Sequence, residues 1–242
     1  MKWFHKPSGR RMVATPTMRD ELAGYGFRNI SAWSRGVDTD VFKPTEPGAQ
    51  DIFEGLARPI FLYVGRVAVE KNIEAFLSID LPGTKVVVGP GPQLEELKAK
   101  YAKAVFKGPK SGDELAAHFA GADVFVFPSL TDTFGLVILE AMASGTPVAA
   151  YPAPGAIGII PNSGAGGLAG SATEGLREAC LECLKLDRKQ VRAYAEKFSW
   201  RACAEDFVRN LQPYPEPEKT RFWRRLRRIA RVRRRRPETA LG

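Results

Sequence analysis

Short apolar runs recur through the middle of the chain, each followed by a glycine-bearing or polar turn and then by residues at helical spacing. The runs are residues 60–64 (IFLYV), 84–88 (TKVVV), 105–108 (VFKG), 123–127 (DVFVF) and 146–150 (TPVAA). Their β-branched and aromatic content, with little polar alternation, is the pattern of strands covered on both faces of a parallel sheet. Helices are predicted between them, opening near Glu70, over 93–102, over 113–120 and from about Gly135 to Gly145. Strand, turn and helix repeated in this order predict an α/β fold, a doubly wound, Rossmann-like parallel sheet with its glycine-rich turns at the strands' carboxyl ends. Residues 153–170 read as a glycine-rich loop, and 172–186, 188–197 and 200–211 as three amphipathic C-terminal helices. Pro213, Pro215 and Pro217 end the folded unit. Ahead of the sheet, 12–15 and 29–33 read as short strands around a helix capped by Thr17 and ended by Gly26, β-α-β material with no sheet of its own to complete.

The stretch 128–147 (PSLTDTFGLVILEAMASGTP) carries the most chemistry. It leaves a predicted strand at its carboxyl end, where open α/β sheets bind ligands. The amides around Phe134, Gly135 and Leu136 would be unpaired donors of a helix's first turn, and Gly135 lets a ligand come close, which makes an anion site. Asp132 in the loop and Glu140 in the helix flank it, with seven residues between them, so two carboxylates can take hydroxyl hydrogen bonds on either side of a phosphate. Phosphate plus polyol describes a nucleotide sugar. An N-cap acid and an ordinary helix acid would account for the same pair, although Ile138, Leu139, Ala141 and Met142 around Glu140 are apolar.

FGLVILEAMASGTPV, preceded by that acid, resembles the signature of retaining glycosyltransferases of the GT-B fold, family four. The resemblance implies that Glu140 holds the ribose hydroxyls of the donor nucleotide and that Asp132, where the family usually has a longer Glu, contacts the donor sugar. It implies donor contacts along Thr133, Phe134, Gly135 and Leu136 as well. YVGRVAVEKN (63–72) resembles the same family's Gly-Arg and Glu-Lys motif. By chemistry alone, Arg66 offers a fork to phosphate oxygens and Lys71 a point charge. The resemblance adds that both bind the donor diphosphate and stabilise the departing nucleotide, beside Gly65. Gly89 and Gly91 in the turn GPGP fit the family's glycine loop beside the donor, and the resemblance implies that the end of the strand containing Phe106 borders the nucleotide base, often through backbone groups. After the fifth strand the family often has a Glu, whereas this chain has PGAIGII, so no site residue is assigned there.

ATPTMRDELAGYGFRNI and SRGVDTDVFKP resemble the closing elements of the family's acceptor domain and the segment joining it to the donor domain. The expected organisation is therefore an acceptor-domain remnant and linker over 1–44, a donor-binding domain over 45–212 and a hinge and tail over 213–242. FSW at 198–200 resembles the closing segment, whose last helix crosses back onto the acceptor domain. Neither His5 nor His118 occupies a matching motif, and a separate chain supplying the N-terminal half is an expected partner. The first apolar residues are interrupted by His5, Lys6, Arg10 and Arg11, which reads against a signal peptide.

Charge changes the picture only at the end of the chain. Residues 219–242 hold eleven Lys and Arg against one acid, a net +10, which leaves residues 1–218 at −1 from the total of +9. Phe222, Leu226 and Ile229 fall at helical spacing among the arginines, so 219–236 reads as an amphipathic helix for an anionic membrane surface, with RNA binding and disorder as rivals. Cys180 and Cys183 form a CxxC without a second ligand pair, and together with Cys203 read as buried reduced thiols. The expectation is a cytoplasmic enzyme, peripheral at the inner membrane face, that transfers a sugar from a nucleoside diphosphate sugar, with a lean toward mannosyl transfer from GDP-mannose, to a glycan or lipid-linked acceptor without metal or cofactor. Its rivals are a non-catalytic nucleotide-sugar binder lacking the acceptor half and a nucleic-acid or membrane binder acting through the tail.

Overall fold

The computed structural model describes residues 5, 8–46, 48–161, 163–169 and 173–213. The prolines at 215 and 217 and the basic segment 219–236 lie outside the described residues. Among the described residues six parallel strands form the main sheet: β3 (Ile60–Val64), β4 (Thr84–Val88), β5 (Val105–Gly108), β6 (Val124–Phe127), β7 (Val148–Ala150) and β8 (Gly166–Leu168), in the order β5-β4-β3-β6-β7-β8. The chain builds outward from β3, returns to lay β6 against it (Phe61 opposite Val124, Leu62 opposite Phe125), and then builds outward the other way. This is the doubly wound order, and the crevice of such a sheet opens where the direction reverses, here between the ends of β3 and β6.

The period-two alternation of the strands divides the apolar core into two layers. Ile60, Leu62, Val64, Val86, Phe125 and Val148 face one layer, covered by α4 (Gly112–Gly121), α5 (Leu136–Ala143), α6 (Pro154–Ile159) and α8 (Arg188–Ala195). Phe61, Tyr63, Val87, Val124, Val126 and Ala149 face the other, covered by α2 (Ile73–Ser78), α3 (Leu94–Lys100) and α7 (Thr173–Cys183). Cys180 and Cys183 lie in that second layer as buried free thiols, and burial pushes the Cys183 thiol up to about 12. Cys203 is also buried and free.

Near the N-terminus, β1 (Arg11–Val13) and β2 (Ile30–Ala32) pair in parallel around α1 (Pro16–Gly24) as a separate two-stranded sheet. This β-α-β unit is tied to the final helix, α9 (Trp200–Asn210): Trp33 Nε1 donates to the Cys203 carbonyl at 3.0 Å, and its ring lies 5.0 Å from Phe207. Arg10 donates to Asn210 at 2.9 Å. On the other side, Thr15 is buried against Gly158 of α6.

Two expectations are corrected. The cap of α1 is Thr15, whose hydroxyl accepts from the Met18 amide at 3.2 Å, because Pro16 occupies the first turn and marks the start one residue after Thr15. Residues 153–170 are not one loop but contain α6 and the edge strand β8. A side chain at Gly166 would run into the Val148 backbone, so the strand is written in glycine where the pairing with β7 needs it, and it shows no apolar pattern.

Candidate functional site

The sheet's reversal point brings together two loops that are distant in sequence. The first leaves β3 through Gly65, crosses a 3₁₀ turn at Val69–Lys71 and enters α2 through Asn72, which is held in the left-handed region at φ 52°. The second leaves β6 at Pro128 and enters α5 through Gly135, also left-handed at φ 76°. Asn72 Nδ2 donates to the Pro128 carbonyl at 3.1 Å and joins them. Lys71 Nζ reaches both carboxylate oxygens of Asp132, at 2.7 and 2.9 Å, with each side chain about a quarter exposed.

A cavity of about 460 Å³ opens between the loops, lined among others by Gly65, Arg66, Lys71, Asp132, Gly135 and Leu136. Thr133 and Phe134 also line it. Among the described residues no side chain caps α5, so its first-turn amides are donors at the cavity edge. Arg66 is well exposed, with its guanidinium 3.4 Å from Glu70, and its carbonyl accepts from the Tyr63 hydroxyl at 2.9 Å. Burial, with Asp132 and Glu70 nearby, pushes the Tyr63 hydroxyl well above its ordinary pKa, so it remains a neutral donor. A second cavity of about 590 Å³ continues along the same edge, sharing Val64, Gly65 and Arg66 and adding Gly89, Gly91 and Lys110.

Gly89 and Gly91 serve close loop packing as well as lining. A side chain at Gly89 would collide with the Gly65 carbonyl, and one at Gly91 with the Val67 backbone. The loops are sewn together there by Gly65 N to Val88 O at 3.0 Å and Val67 N to Pro90 O at 2.8 Å.

Two candidates do not line these cavities. Phe106 packs against the second apolar layer. Glu140 is half-buried on α5, one turn beyond Leu136, with no side-chain hydrogen bond among the described residues, and burial raises its carboxyl pKa. A carboxyl raised on folding favours the folded state at low pH, and that contribution is lost as pH rises through its folded value. Glu140→Gln is therefore expected to raise the melting temperature at pH 7.5 and to leave it nearly unchanged near pH 4. If Glu140 also accepts from a ribose, the same variant loses nucleotide affinity, a stability gain paired with a binding loss that thermal melts with and without nucleotide would read. His118 lies elsewhere, buried edge-on to Phe53 with Nδ1 2.7 Å from the Glu114 carbonyl.

Sequence reasoning missed three residues that complete the site. Ser129 lines the first cavity, and its Oγ is buried without a hydrogen-bond partner among the described residues. Arg35, in the segment leading to the sheet, lines it too. Gly155 supports the second loop from behind, its amide donating to the Asp132 carbonyl at 3.0 Å and its Cα packed on the Phe134 backbone. The missing acid in PGAIGII was legible, but the steric need for Gly155 was not.

Residues 58–185 match the family described as glycosyl transferases group 1. The sulfoquinovosyl transferase SQD2 of Arabidopsis thaliana is 34% identical in an alignment 235 positions long that covers 88% of this chain and 46% of that protein. A GDP-mannose-dependent alpha-mannosyltransferase of Corynebacterium glutamicum is 36% identical over 173 residues, 69% of this chain and 42% of its own length. The chain thus spans about half the length of these curated relatives. Among solved structures, sucrose-phosphate synthase from Thermosynechococcus elongatus superposes with a TM-score of 0.69 at 25% identity, over 82% of this chain and 56% of that one. Anabaena HepE, solved in complex with UDP, shares the fold with a TM-score of 0.69 at 19% identity, over 82% of this chain and 62% of that one.

Proposed function

The chain belongs to the group 1 glycosyl transferases, its sheet being one half of a GT-B fold, and from that premise we propose that it binds a nucleoside diphosphate sugar and transfers the sugar, with retention, to a glycan or lipid-linked acceptor. The observation that carries this reading is the meeting of Arg66, Lys71, Asp132 and the open end of α5 around one cavity at the sheet's reversal point. In it, Arg66 and Lys71 hold the diphosphate and stabilise the charge that develops on the departing nucleotide, and the amides beyond Gly135 donate to the same oxygens. Asp132 pairs with Lys71 until the diphosphate arrives and accepts from a sugar hydroxyl; Glu140 accepts from the ribose. No metal is needed in this scheme, because the cations and amides supply the charge. GDP-mannose is the donor we assign, supported by the relatives named for it.

The test is a thermal-shift titration with GDP, UDP and ADP, alongside an Arg66→Ala, Lys71→Ala double variant. Stabilisation by GDP above the other two, lost in the double variant, is the expected result. Stabilisation by UDP or ADP instead would reassign the donor, and no shift with any of them would sink the nucleotide reading. That the chain spans about half the length of its relatives favours a second reading, a nucleotide-sugar binder that is inactive alone. Under that reading sugar transfer appears only on adding a chain that supplies the N-terminal half. Among the described residues no helix is long and apolar enough to cross a membrane. The membrane contact we propose runs through 219–236, and deleting 219–242 is expected to leave nucleotide binding intact.

A further inference from the structure

We propose that Arg35 is a third diphosphate-binding cation of the cavity, brought to it from the N-terminal side of the chain, so that nucleotide binding ties that side to the sheet; this rests on the nucleotide-sugar reading above. Among the described residues three basic side chains line the 460 Å³ cavity: Arg35, Arg66 and Lys71. Lys71 is held by both oxygens of Asp132, and Arg66 lies 3.4 Å from Glu70. Among the described residues Arg35 has no carboxylate within 4 Å and no side-chain hydrogen bond. A diphosphate entering the cavity therefore meets two cations already facing acids and one that does not.

The position of Arg35 is built rather than incidental. Its guanidinium carbon sits 4.5 Å from the centre of the Trp33 ring, and stacking of that kind fixes the plane while leaving the N–H edge free to fork onto an oxyanion. Trp33 is itself fixed by its hydrogen bond to the Cys203 carbonyl and by Phe207. On the other side, a side chain at Gly36 would overlap Trp200, and the Val37 amide donates to the Phe198 carbonyl at 2.8 Å. The backbone around Arg35 is thus clamped to the start of α9, and what Arg35 binds pulls on both. An anionic group on the acceptor would satisfy the same guanidinium, so the experiment uses nucleotide alone.

Dissociation constants for GDP, UDP and ADP are measured by calorimetry on the whole chain, as wild type, Arg35→Ala and Arg35→Lys, with guanosine, uridine and adenosine as uncharged counterparts. Loss of a charge-assisted hydrogen bond at a half-buried guanidinium predicts about a tenfold weaker constant for the preferred diphosphate in Arg35→Ala. Arg35→Lys, which keeps the charge and loses the fork, falls between. The nucleoside constant stays put, the salt dependence of diphosphate binding becomes shallower, and the melting temperature of Arg35→Ala without nucleotide falls by no more than the lost stacking on Trp33. Equal diphosphate affinity in wild type and Arg35→Ala overturns the inference and leaves the functional reading standing. A loss shared equally by diphosphate and nucleoside also overturns it, because that is a change of fold. If the wild-type chain binds none of the three diphosphates, the inference falls together with the functional reading.

Discussion

Lys71→Ala is expected to weaken nucleoside diphosphate binding by about a hundredfold or more, and adding Asp132→Asn to that variant to restore roughly tenfold of the loss. Two effects act in the single variant. A charge-assisted hydrogen bond to phosphate disappears, about 1.5–3 kcal/mol. Asp132, which Lys71 Nζ holds at 2.7 and 2.9 Å, is left facing the diphosphate without its partner. At an effective dielectric of about 20 and a separation of about 5 Å, that repulsion reaches on the order of 3 kcal/mol, an upper value for side chains that still see some solvent. Asp132→Asn alone removes a competitor for Lys71 and is expected to tighten binding several-fold, while abolishing sugar transfer if the carboxylate holds the donor sugar. Calorimetric titration of the four proteins closes the double-mutant cycle. Strictly additive effects would mean that the pair does not stand against the phosphates.

That pairing was not legible in the sequence, although both residues were. Lys71 and Asp132 are separated by 61 positions, and only the placement of β6 beside β3 makes them neighbours. The strands themselves were legible because IFLYV and VFVF are apolar at every position, as strands buried on both faces must be. Where backbone proximity rather than burial sets the residue, the pattern fell silent. Gly166 and Gly167 of β8 carry no side chain to show a period. Arg35 reads as a linker charge until Trp33 and the cavity lie on either side of it. Glycines 89 and 91 were read as ligand-facing, and they line a cavity, yet the residues a side chain there would strike are Gly65 and Val67 of the neighbouring loop. In the same way the sequence placed Glu140 and Phe106 beside Arg66 and Lys71 in one site, because motif position says nothing of which face of a helix or strand meets the cavity.

Gly155→Ala should cost about 1–3 kcal/mol of stability and at least tenfold in nucleotide affinity, and its sign separates sterics from conformation. Gly155 is the second residue of α6 and does not have a positive φ, so alanine fits its backbone and is preferred to glycine there by at most about 1 kcal/mol. Propensity alone therefore predicts stabilisation. Against it, a methyl group at Gly155 would come within 3.0 Å of the oxygen, carbonyl carbon and Cα of Phe134, which are backbone atoms with no rotamer to yield. The Gly155 amide also holds the Asp132 carbonyl at 3.0 Å, so α6 cannot retreat without letting go of the loop. Either the helix shifts and draws the loop from Asp132 to Gly135 with it, or Phe134 and Gly135 move into the cavity, and in both cases the amides of α5 turn away from the phosphates. Both routes reduce affinity for the diphosphate more than for the nucleoside, which titrations with each would show, while chemical denaturation reads the stability. A more stable Gly155→Ala chain with unchanged nucleotide affinity would mean that the loop from Asp132 to Gly135 is not held from behind by α6.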